Sequence, residues 1–441
     1  MDHARARCGR GRSVGAARHP RPHLACPPSA GARDRHAGPP GRRLPSGRRG
    51  AAHGAPAHGG CRRPGRARAP VRGARTIQPV VRDRPRHRRT GDPSVNSRDL
   101  RIETLRGLAC ILLVAYHVIG DDVRGLRLPD DAWLRWFSDS LVYLRMPLFT
   151  FLSGYVYAMR RPAQAGDFVP FFRGKVRRLL LPLLMVGQIY QYVQRHVGEV
   201  NVEHDGSWFR FMFYAYDHFW FLQALFLIFI VIYVLDVSGA GRNRRWLWTV
   251  TLLAFLVLPH IRFAANPFSI NGAFYLLPYF LLGVALRRTP GLDAPASLPR
   301  YWLPCAAAAL LVCLVWHQAS LAGWNVPHLS ADALSGQLYS AVSIAFLYSI
   351  AWQWKPLVRI GGYSYSIYLF HVFGTAGSRI LLTHLNVHEP VVLFVCGLAS
   401  GILLPILLEI VFDRWGITRL LFLGKAYVRG GSARRTGVQH E

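Results

Sequence analysis

The first 97 residues lack lysine, phenylalanine, tyrosine, tryptophan and any long apolar run. Without large apolar side chains this segment cannot build a hydrophobic core, and without aromatics it offers no stacking platform for nucleic-acid bases. Its 23 arginines against four aspartates give a formal charge of +19, out of +31 for the chain. Such a charge could attract nucleic acid or anionic lipid. We predict a disordered Arg/Pro/Gly-rich tail over residues 1–97. The alternative is that this segment is not translated, in which case Val95 could be the start codon. We expect no nucleic-acid partner.

Two other features are missing from the sequence. The seven cysteines form no CxxC pair and show no metal-ligand spacing. We therefore expect reduced, inert thiols and no metal site. The tail also lacks the apolar core of a signal peptide, so we expect no cleaved export signal and membrane entry through the first spanning helix.

From residue 100 onward, short polar loops separate long apolar blocks. A helix that spans a bilayer needs about 20 mostly apolar residues. Ten segments fit this requirement: 104–120, 139–159, 179–197, 218–237, 246–264, 271–286, 301–318, 333–351, 363–383 and 389–412. They predict an all-α, polytopic membrane helix bundle over residues 98–412, followed by a short basic cytoplasmic tail over residues 413–441.

Charge alternates between the loops that join these segments. Lysine and arginine concentrate after every second predicted span, whereas aspartate and glutamate concentrate in the opposite loops. By the positive-inside rule both termini are then cytoplasmic, which requires an even number of spans. We expect a multi-pass protein of a bacterial-type inner membrane.

The first predicted span carries a cation and an imidazole. Arg106 and His117 are eleven residues apart, which is close to three helical turns, so they share one face about 16 Å apart along the axis. Ionisable groups inside a membrane are functional candidates because unpaired ones are costly there. Two structural alternatives stay open: His117 hydrogen-bonds within the bundle, and Arg106 anchors the helix at the cytoplasmic surface.

Five sequence blocks carry a resemblance to a known family. They are RDLRIETLRGLACILLVAYH (98–117), MPLFTFLSGY (146–155), KVRRLLLP (175–182), HFWFL (218–222) and SIYLFH (366–371). In this order they resemble the acyltransferase-3 family of membrane O-acyltransferases, whose mark is an arginine, ten residues and a histidine in the first helix. Arg106 and His117 match that mark, whereas Lys175 stands where the family has arginine.

The resemblance implies transfer of an acyl group, usually acetyl, from cytoplasmic acetyl-coenzyme A to a hydroxyl of a carbohydrate or glycolipid. Imidazole suits the general base of such a reaction, so His117 is predicted to take or relay the proton. Arg106 is predicted to bind the phosphate end of the donor or to stabilise the oxyanion. The phosphates of coenzyme A need several cations. The predicted set is Arg173, Lys175, Arg177 and Arg178, although positive-inside bias alone would also place cations in that loop.

Six further residues have weaker predicted roles. Asp121 could fix the tautomer of His117 or be a solvated loop acid. Ser153 is expected to permit close helix packing rather than to act as a nucleophile. Trp220 is expected in an interfacial aromatic belt, with stacking on a sugar ring as the alternative. Three ionisable side chains within the spans could line an acceptor tunnel or form structural pairs: Arg145, His371 and Glu409.

A transporter or flippase is the rival interpretation, because broken helices and midplane ionisable residues also suit it. Transporters often contain two related halves. This sequence shows no internal repeat, and each of the five blocks occurs once. We therefore favour the acyltransferase. The sequence predicts no oligomeric state.

Overall fold

The computed structural model describes residues 99–121, 124–160, 162–197, 210–330 and 333–427, all within one compact unit. The predicted tail over residues 1–97 lies outside these residues, and so does the end of the chain from 428 onward. The described residues are helical and contain no strand. This confirms the prediction of an all-α protein.

Fifteen α-helices make up the described residues. They are α1 (Leu100–Ile119), α2 (Trp133–Ser140), α3 (Arg145–Ala158), α4 (Phe168–Lys175), α5 (Leu181–His196), α6 (Arg210–Phe213), α7 (Trp220–Val237), α8 (Arg244–Val257), α9 (Ile270–Arg288), α10 (Trp302–Leu321), α11 (Leu334–Ile350), α12 (Lys355–Gly362), α13 (Ser364–His384), α14 (Pro390–Phe412) and α15 (Gly416–Leu423). A π-helical turn, Val176–Leu180, joins α4 to α5.

Each of the ten predicted spans overlaps at least one of these helices. Five helical segments among the described residues are long and apolar enough to cross a membrane: Leu100–Ile119, Asp217–Val237, Ile270–Arg288, Trp302–Leu321 and Pro390–Phe412. The helices in the other five segments are shorter or less apolar; α3 and α8, for example, have 14 residues each. The count of ten spans and the cytoplasmic placement of both termini stay predictions.

Helix α1 lies in the middle of the bundle, where it packs against α3, α12, α13 and α14. Glycine lets the backbones approach closely, as is common between membrane helices. A Cβ at Gly107 would lie 2.1 Å from the carbonyl oxygen of Leu357 in α12, and one at Gly361 would lie 2.0 Å from that of Glu103. Substitution at either position would therefore force α1 and α12 apart.

The apolar surface differs between central and peripheral helices. In α1, 61% of the most apolar window is buried, but only 17% is buried in α10 and 22% in α14. Because α10 and α14 are strongly apolar, their uncovered faces suit contact with lipid tails rather than water. This pattern supports a membrane helix bundle.

Candidate active site

Three histidine rings from different parts of the chain meet inside the bundle. The ring centroids of His117 and His371 lie 4.6 Å apart, those of His218 and His371 lie 5.0 Å apart, and those of His117 and His218 lie 6.1 Å apart. His117 lies near the end of α1, His371 in the first half of α13, and His218 just before α7. Within the described residues, no group of three or more histidine, cysteine or acidic side chains could hold a metal ion.

The hydrogen bonds of His371 fix its tautomer. Its Nδ1 lies 2.9 Å from the carbonyl oxygens of both Ile367 and Tyr368, one turn earlier in α13. Carbonyl oxygens only accept, so Nδ1 carries a proton, and in the neutral ring Nε2 then carries a lone pair. Nε2 is buried and has no hydrogen-bond partner among the described residues, and neither has either ring nitrogen of His218. The cluster therefore contains imidazole nitrogens with unused hydrogen-bonding capacity beside His117.

His117 forms part of the wall of a cavity of about 450 Å³. The cavity lies between the C-terminal part of α5 and the middle and C-terminal part of α13. His117 is half-buried, whereas His218 and His371 are 4% and 0% exposed. A small molecule in the cavity could thus reach His117, with the other two histidines behind it. Volumes of about 300–1,000 Å³ are typical of small-ligand sites.

A carboxylate stands in the same cavity wall. Oδ2 of Asp217 accepts a hydrogen bond from the Tyr190 hydroxyl and lies 3.4 Å from Nε2 of Gln194. Oδ1 faces the Arg124 guanidinium at 3.8 Å, beyond hydrogen-bond distance. The φ angle of Asp217 is +43°, a left-handed conformation that is uncommon outside glycine. These contacts hold a mostly buried carboxylate beside the histidine cluster.

The predicted cationic cluster divides into side chains with different surroundings. Arg173 and Arg178 are exposed, and the Arg178 guanidinium lies 4.8 Å from the centre of the Tyr365 ring. Lys175 instead points into aromatic rings, with Nζ 3.4 Å from the centroid of Phe229. Burial, together with Arg160 and Arg178, lowers the pKa of Lys175 to about 7.

Arg177 is half-buried, and its Nε has no hydrogen-bond partner among the described residues. Arg106 lies at the same end of the bundle, where it forms an ion pair of 2.9 Å with Glu103 one turn earlier in α1. About three helical turns separate Arg106 from His117 along α1. Arg106 and His117 thus lie on the same helix but do not belong to the same local site.

Arg145 and Asp121 lie near the histidine end of α1. The Arg145 guanidinium stacks 3.8 Å above the ring of Tyr116, the residue before His117, and its Nη1 donates to Ser138 at 3.3 Å. Oδ1 of Asp121 accepts from the backbone N–H of Arg124 at 2.8 Å, in the turn after α1. Its predicted role toward the tautomer of His117 stays a prediction.

Three other candidates make packing or ion-pair contacts. The Ser153 hydroxyl donates to the Phe149 carbonyl at 2.9 Å, and a Cβ at the adjacent Gly154 would lie 2.1 Å from a backbone oxygen of α9. The Trp220 ring lies where a Cβ at Gly272 would be, within 2.7 Å. Glu409 accepts from Lys425 at 2.8 Å and from Ser366 at 2.5 Å. These contacts suit the structural alternative for each residue.

Reasoning from the sequence missed Asp217 and Tyr190 and did not commit to His218. The available signal was the Asp217–His218 pair directly before an aromatic-rich apolar segment. A second missed feature is an ion pair at the opposite end of the bundle, in which Arg288 donates to both oxygens of the fully buried Asp236 at 2.6 and 3.1 Å. The hydroxyl of Tyr157 also donates to Asp236, at 2.6 Å.

The comparisons with known proteins agree with the sequence blocks. No curated protein and no solved structure matches the chain. The family model described as an acyltransferase domain matches residues 99–410, which is more than half of the chain and includes every candidate site residue. The chain therefore belongs to the acyltransferase-3 family, and the protein is a membrane acyltransferase.

Proposed function

We propose that the protein moves an acetyl or other short acyl group from cytoplasmic acyl-coenzyme A to a hydroxyl of a carbohydrate or glycolipid, with His117 as the general base. The observation that carries this proposal is the half-buried His117 in the wall of a 450 Å³ cavity, backed by two other imidazoles. A hydroxyl in this cavity would have a base within reach, which is the first geometric requirement of general-base catalysis.

Two ends of the bundle suit the two substrates. The cations for the phosphates of the donor lie where α5 and α13 begin, since Arg178 stacks on Tyr365. The cavity lies toward the other end of the same helices, as far as Ile380 in α13. Fifteen residues separate Tyr365 from Ile380, which corresponds to about 22 Å along a helix. We propose that the donor enters at the cationic end and the acceptor enters through the cavity.

The proposed reaction balances without a further reactant. The acceptor oxygen attacks the thioester carbonyl while its proton passes to His117, and a tetrahedral oxyanion forms. The carbon–sulfur bond then breaks, and the coenzyme A thiolate takes the proton back from His117. The lone pair on Nε2 of His371 would accept a hydrogen bond from the imidazolium of His117 between these two steps.

The distance along α1 favours one of the two predicted roles of Arg106. Arg106 lies about 16 Å from His117 by helical rise, and it pairs with Glu103 on the side away from His117. An oxyanion formed beside His117 would be out of its reach. We propose that Arg106 acts at the phosphate end of the donor, together with the exposed Arg173 and Arg178.

The same contacts support the orientation of the protein in the membrane. Arg288, at the end of α9, binds Asp236 near the end of α7, and Asp236 also accepts from the backbone of Ala163. Loops after predicted even-numbered spans thus meet at one end. We propose a bacterial-type inner membrane protein with this cationic end in the cytoplasm.

The proposal is tested with inverted membrane vesicles, whose cytoplasmic face is outward. Acetyl-labelled acetyl-coenzyme A is supplied outside, and label is followed into endogenous glycans and glycolipids. We expect label to appear with the wild-type protein and to fall about 10²- to 10⁴-fold with His117→Ala, because a positioned base contributes about that factor. Binding of coenzyme A should be retained, since His117 lies far from the cationic cluster.

A second histidine gives a matched control. His317 in α10 is also buried, and its Nε2 bonds to the Asp139 carbonyl at 3.0 Å, but it does not line the cavity. His317→Gln should therefore transfer label at the wild-type rate. Equal losses in both variants at matched protein level would contradict a chemical role for His117. Absence of label with the wild-type protein, together with dissipation of a solute gradient, would favour a transporter.

A further inference from the structure

The cavity beside His117 has one polar wall and one apolar wall. The polar wall holds Asp217, Gln194 and Arg124 next to His117. The other wall is mainly apolar and consists of side chains from α5 and α13: Val193, Val197, Val372, Phe373, Ile380 and Leu381. Thr375, Arg379 and His384 of α13 also line the cavity. Apolar atoms supply most of the lining surface. A fully hydrated sugar chain would leave this apolar wall without a matching partner.

The polar wall is built to receive hydroxyl groups. Tyr190 and Gln194 hold Oδ2 of Asp217, and Gln194 in turn lies 3.0 Å from the Tyr190 hydroxyl. Oδ1 lies 3.8 Å from the guanidinium of Arg124, another residue that lines the cavity. Among the described residues Oδ1 therefore keeps lone pairs for a donor, and a carboxylate that accepts from a ligand hydroxyl makes a strong, charge-assisted hydrogen bond.

The apolar wall continues to the outside of the bundle. Leu381 lines the cavity and is 60% exposed, and the adjacent Ile380 is half-buried. Both belong to α13, which has few contacts with α5 in the described structure. A chain of methylenes lying between α5 and α13 could thus pass from the cavity to the lipid-facing surface without contacting water.

We propose that the acceptor is an amphipathic glycolipid whose sugar hydroxyls bind at Asp217 and whose hydrocarbon chain lies between α5 and α13. This inference deepens the proposed function and rests on it, because the glycolipid is an acceptor only if the protein transfers an acyl group. Binding of the glycolipid needs no acyl-coenzyme A and can be tested separately. A water-soluble glycan is the alternative acceptor, and it would use the polar wall alone.

Binding is tested with a photoreactive decyl glucoside, which carries a diazirine on its alkyl chain, added to the full-length protein in a non-glycosidic detergent without acyl-coenzyme A. We expect cross-links within residues 190–197 and 372–384. Unlabelled decyl glucoside should compete, and competition should weaken about fourfold for each buried methylene that is removed, so methyl glucoside should fail at the same concentration.

Three variants locate the occupant. Ile380→Trp fills the apolar side, and Asp217→Asn removes the carboxylate while an amide oxygen can still accept from Tyr190; each should reduce cross-linking at least fivefold. Leu403→Gln in α14 is the control, because Leu403 is 65% exposed on a different helix. It should leave cross-linking unchanged, which separates the cavity from general partition into detergent.

The outcomes separate this inference from the proposed function. Equal competition by methyl and decyl glucoside, or cross-linking that Ile380→Trp does not reduce in a folded protein, overturns the glycolipid acceptor even if acetyl transfer is observed. Cross-linking in the cavity by a protein that transfers no acetyl group supports the glycolipid site and instead contradicts the proposed reaction.

Discussion

The two ends of the bundle differ in how their buried carboxylates and imidazoles are hydrogen-bonded. At the cationic end, Asp236 accepts from Arg288, Tyr157 and the backbone of Ala163, and Glu409 accepts from Lys425 and Ser366. At the cavity end, buried imidazole nitrogens of His218 and His371 have no hydrogen-bond partner among the described residues. The buried carboxylates of the cationic end are thus paired within the protein, although Nε of Arg177 and Nε of Arg288 have no partner among the described residues, whereas the cavity end has imidazole nitrogens available to a ligand.

This difference predicts that some substitutions change mainly the stability of the protein and others mainly its catalytic rate. A buried polar group that is fully paired rigidifies the fold, whereas an unpaired one is costly and persists where function needs it. We therefore expect substitutions at the paired carboxylates of the cationic end, Asp236 and Glu409, to change chiefly the stability of the protein. Substitutions at the cavity end should change chiefly its catalytic rate.

The largest expected effect on stability is that of Asp236→Ala. It leaves the Arg288 guanidinium buried without its carboxylate, and removal of one partner from a buried pair costs about 3–5 kcal/mol. Asp236 is 0% exposed. We expect a strongly lowered thermal midpoint, measured as loss of monodisperse protein in detergent after heating.

The double variant Asp236→Ala/Arg288→Met sharpens this test. It removes both charges, so no unpaired ion stays buried, and stability should recover in part. If the double variant is as unstable as Asp236→Ala, an unpaired Arg288 is not the cause of the instability. That result would contradict the view that paired charges stabilise the cationic end.

His371→Gln is the next largest effect and concerns the rate. Nε2 of His371 has no hydrogen-bond partner among the described residues, and the centroid of its ring lies 4.6 Å from that of His117. In the proposed mechanism this nitrogen would accept a hydrogen bond from the imidazolium of His117. A hydrogen bond to a charged group contributes about 1.5–3 kcal/mol, so kcat should fall about 10- to 150-fold. KM for acyl-coenzyme A and the thermal midpoint should change little.

His317→Gln serves again as the comparison. His317, like His371, is buried with one ring nitrogen bonded to a backbone carbonyl and the other without a partner among the described residues, but its ring contacts Tyr143 and Tyr339 rather than His117. Its kcat should equal that of the wild type. A rise in KM without a fall in kcat for His371→Gln would show that His371 shapes substrate binding rather than supporting the charge on His117.

The parts of this comparison that the sequence predicted are those that depend on one helix at a time. Apolar segments predicted the positions of α1, α7 and α14 within a few residues, and the spacing of Arg106 and His117 predicted their shared helix. His371 was a candidate because it is an ionisable group within a predicted span. None of these predictions needed knowledge of how the helices pack.

The rest depends on packing between helices, which periodicity does not report. The meeting of His218 with His117 requires the crossing of α1 and α13 near the start of α7. The left-handed backbone of Asp217 has no sequence mark, since the residue is not a glycine. The π-helical turn at Val176–Leu180 also breaks the 3.6-residue repeat.

That turn explains why the cationic cluster is not uniform. In a regular α-helix Lys175 and Arg178, three residues apart, would share a face. In the structure Lys175 contacts Phe229 while Arg178 stacks on Tyr365. In the proposed function, the phosphates of the donor would therefore contact Arg178 directly. Lys175 would attract them only through its charge, because its ammonium group lies among aromatic rings, whose faces stabilise a cation.

The smallest predicted effect uses this charge to test the cationic end. Burial, with Arg160 and Arg178 nearby, lowers the pKa of Lys175 to about 7, so Lys175 is mostly protonated at pH 6 and mostly neutral at pH 8. If its charge attracts the phosphates of the donor, kcat/KM for acyl-coenzyme A should fall by up to about tenfold over that range.

Lys175→Arg keeps the charge at both pH values, because arginine does not lose its proton there. Any pH dependence that remains in that variant reports titration of other groups, such as the 3′-phosphate of the donor, which becomes more negative over this range. If the pH profile of kcat/KM is the same for the wild type and for Lys175→Arg, the charge of Lys175 does not attract the donor. Lys175 would then be a structural charge, like Asp236, and donor binding would depend on Arg173 and Arg178.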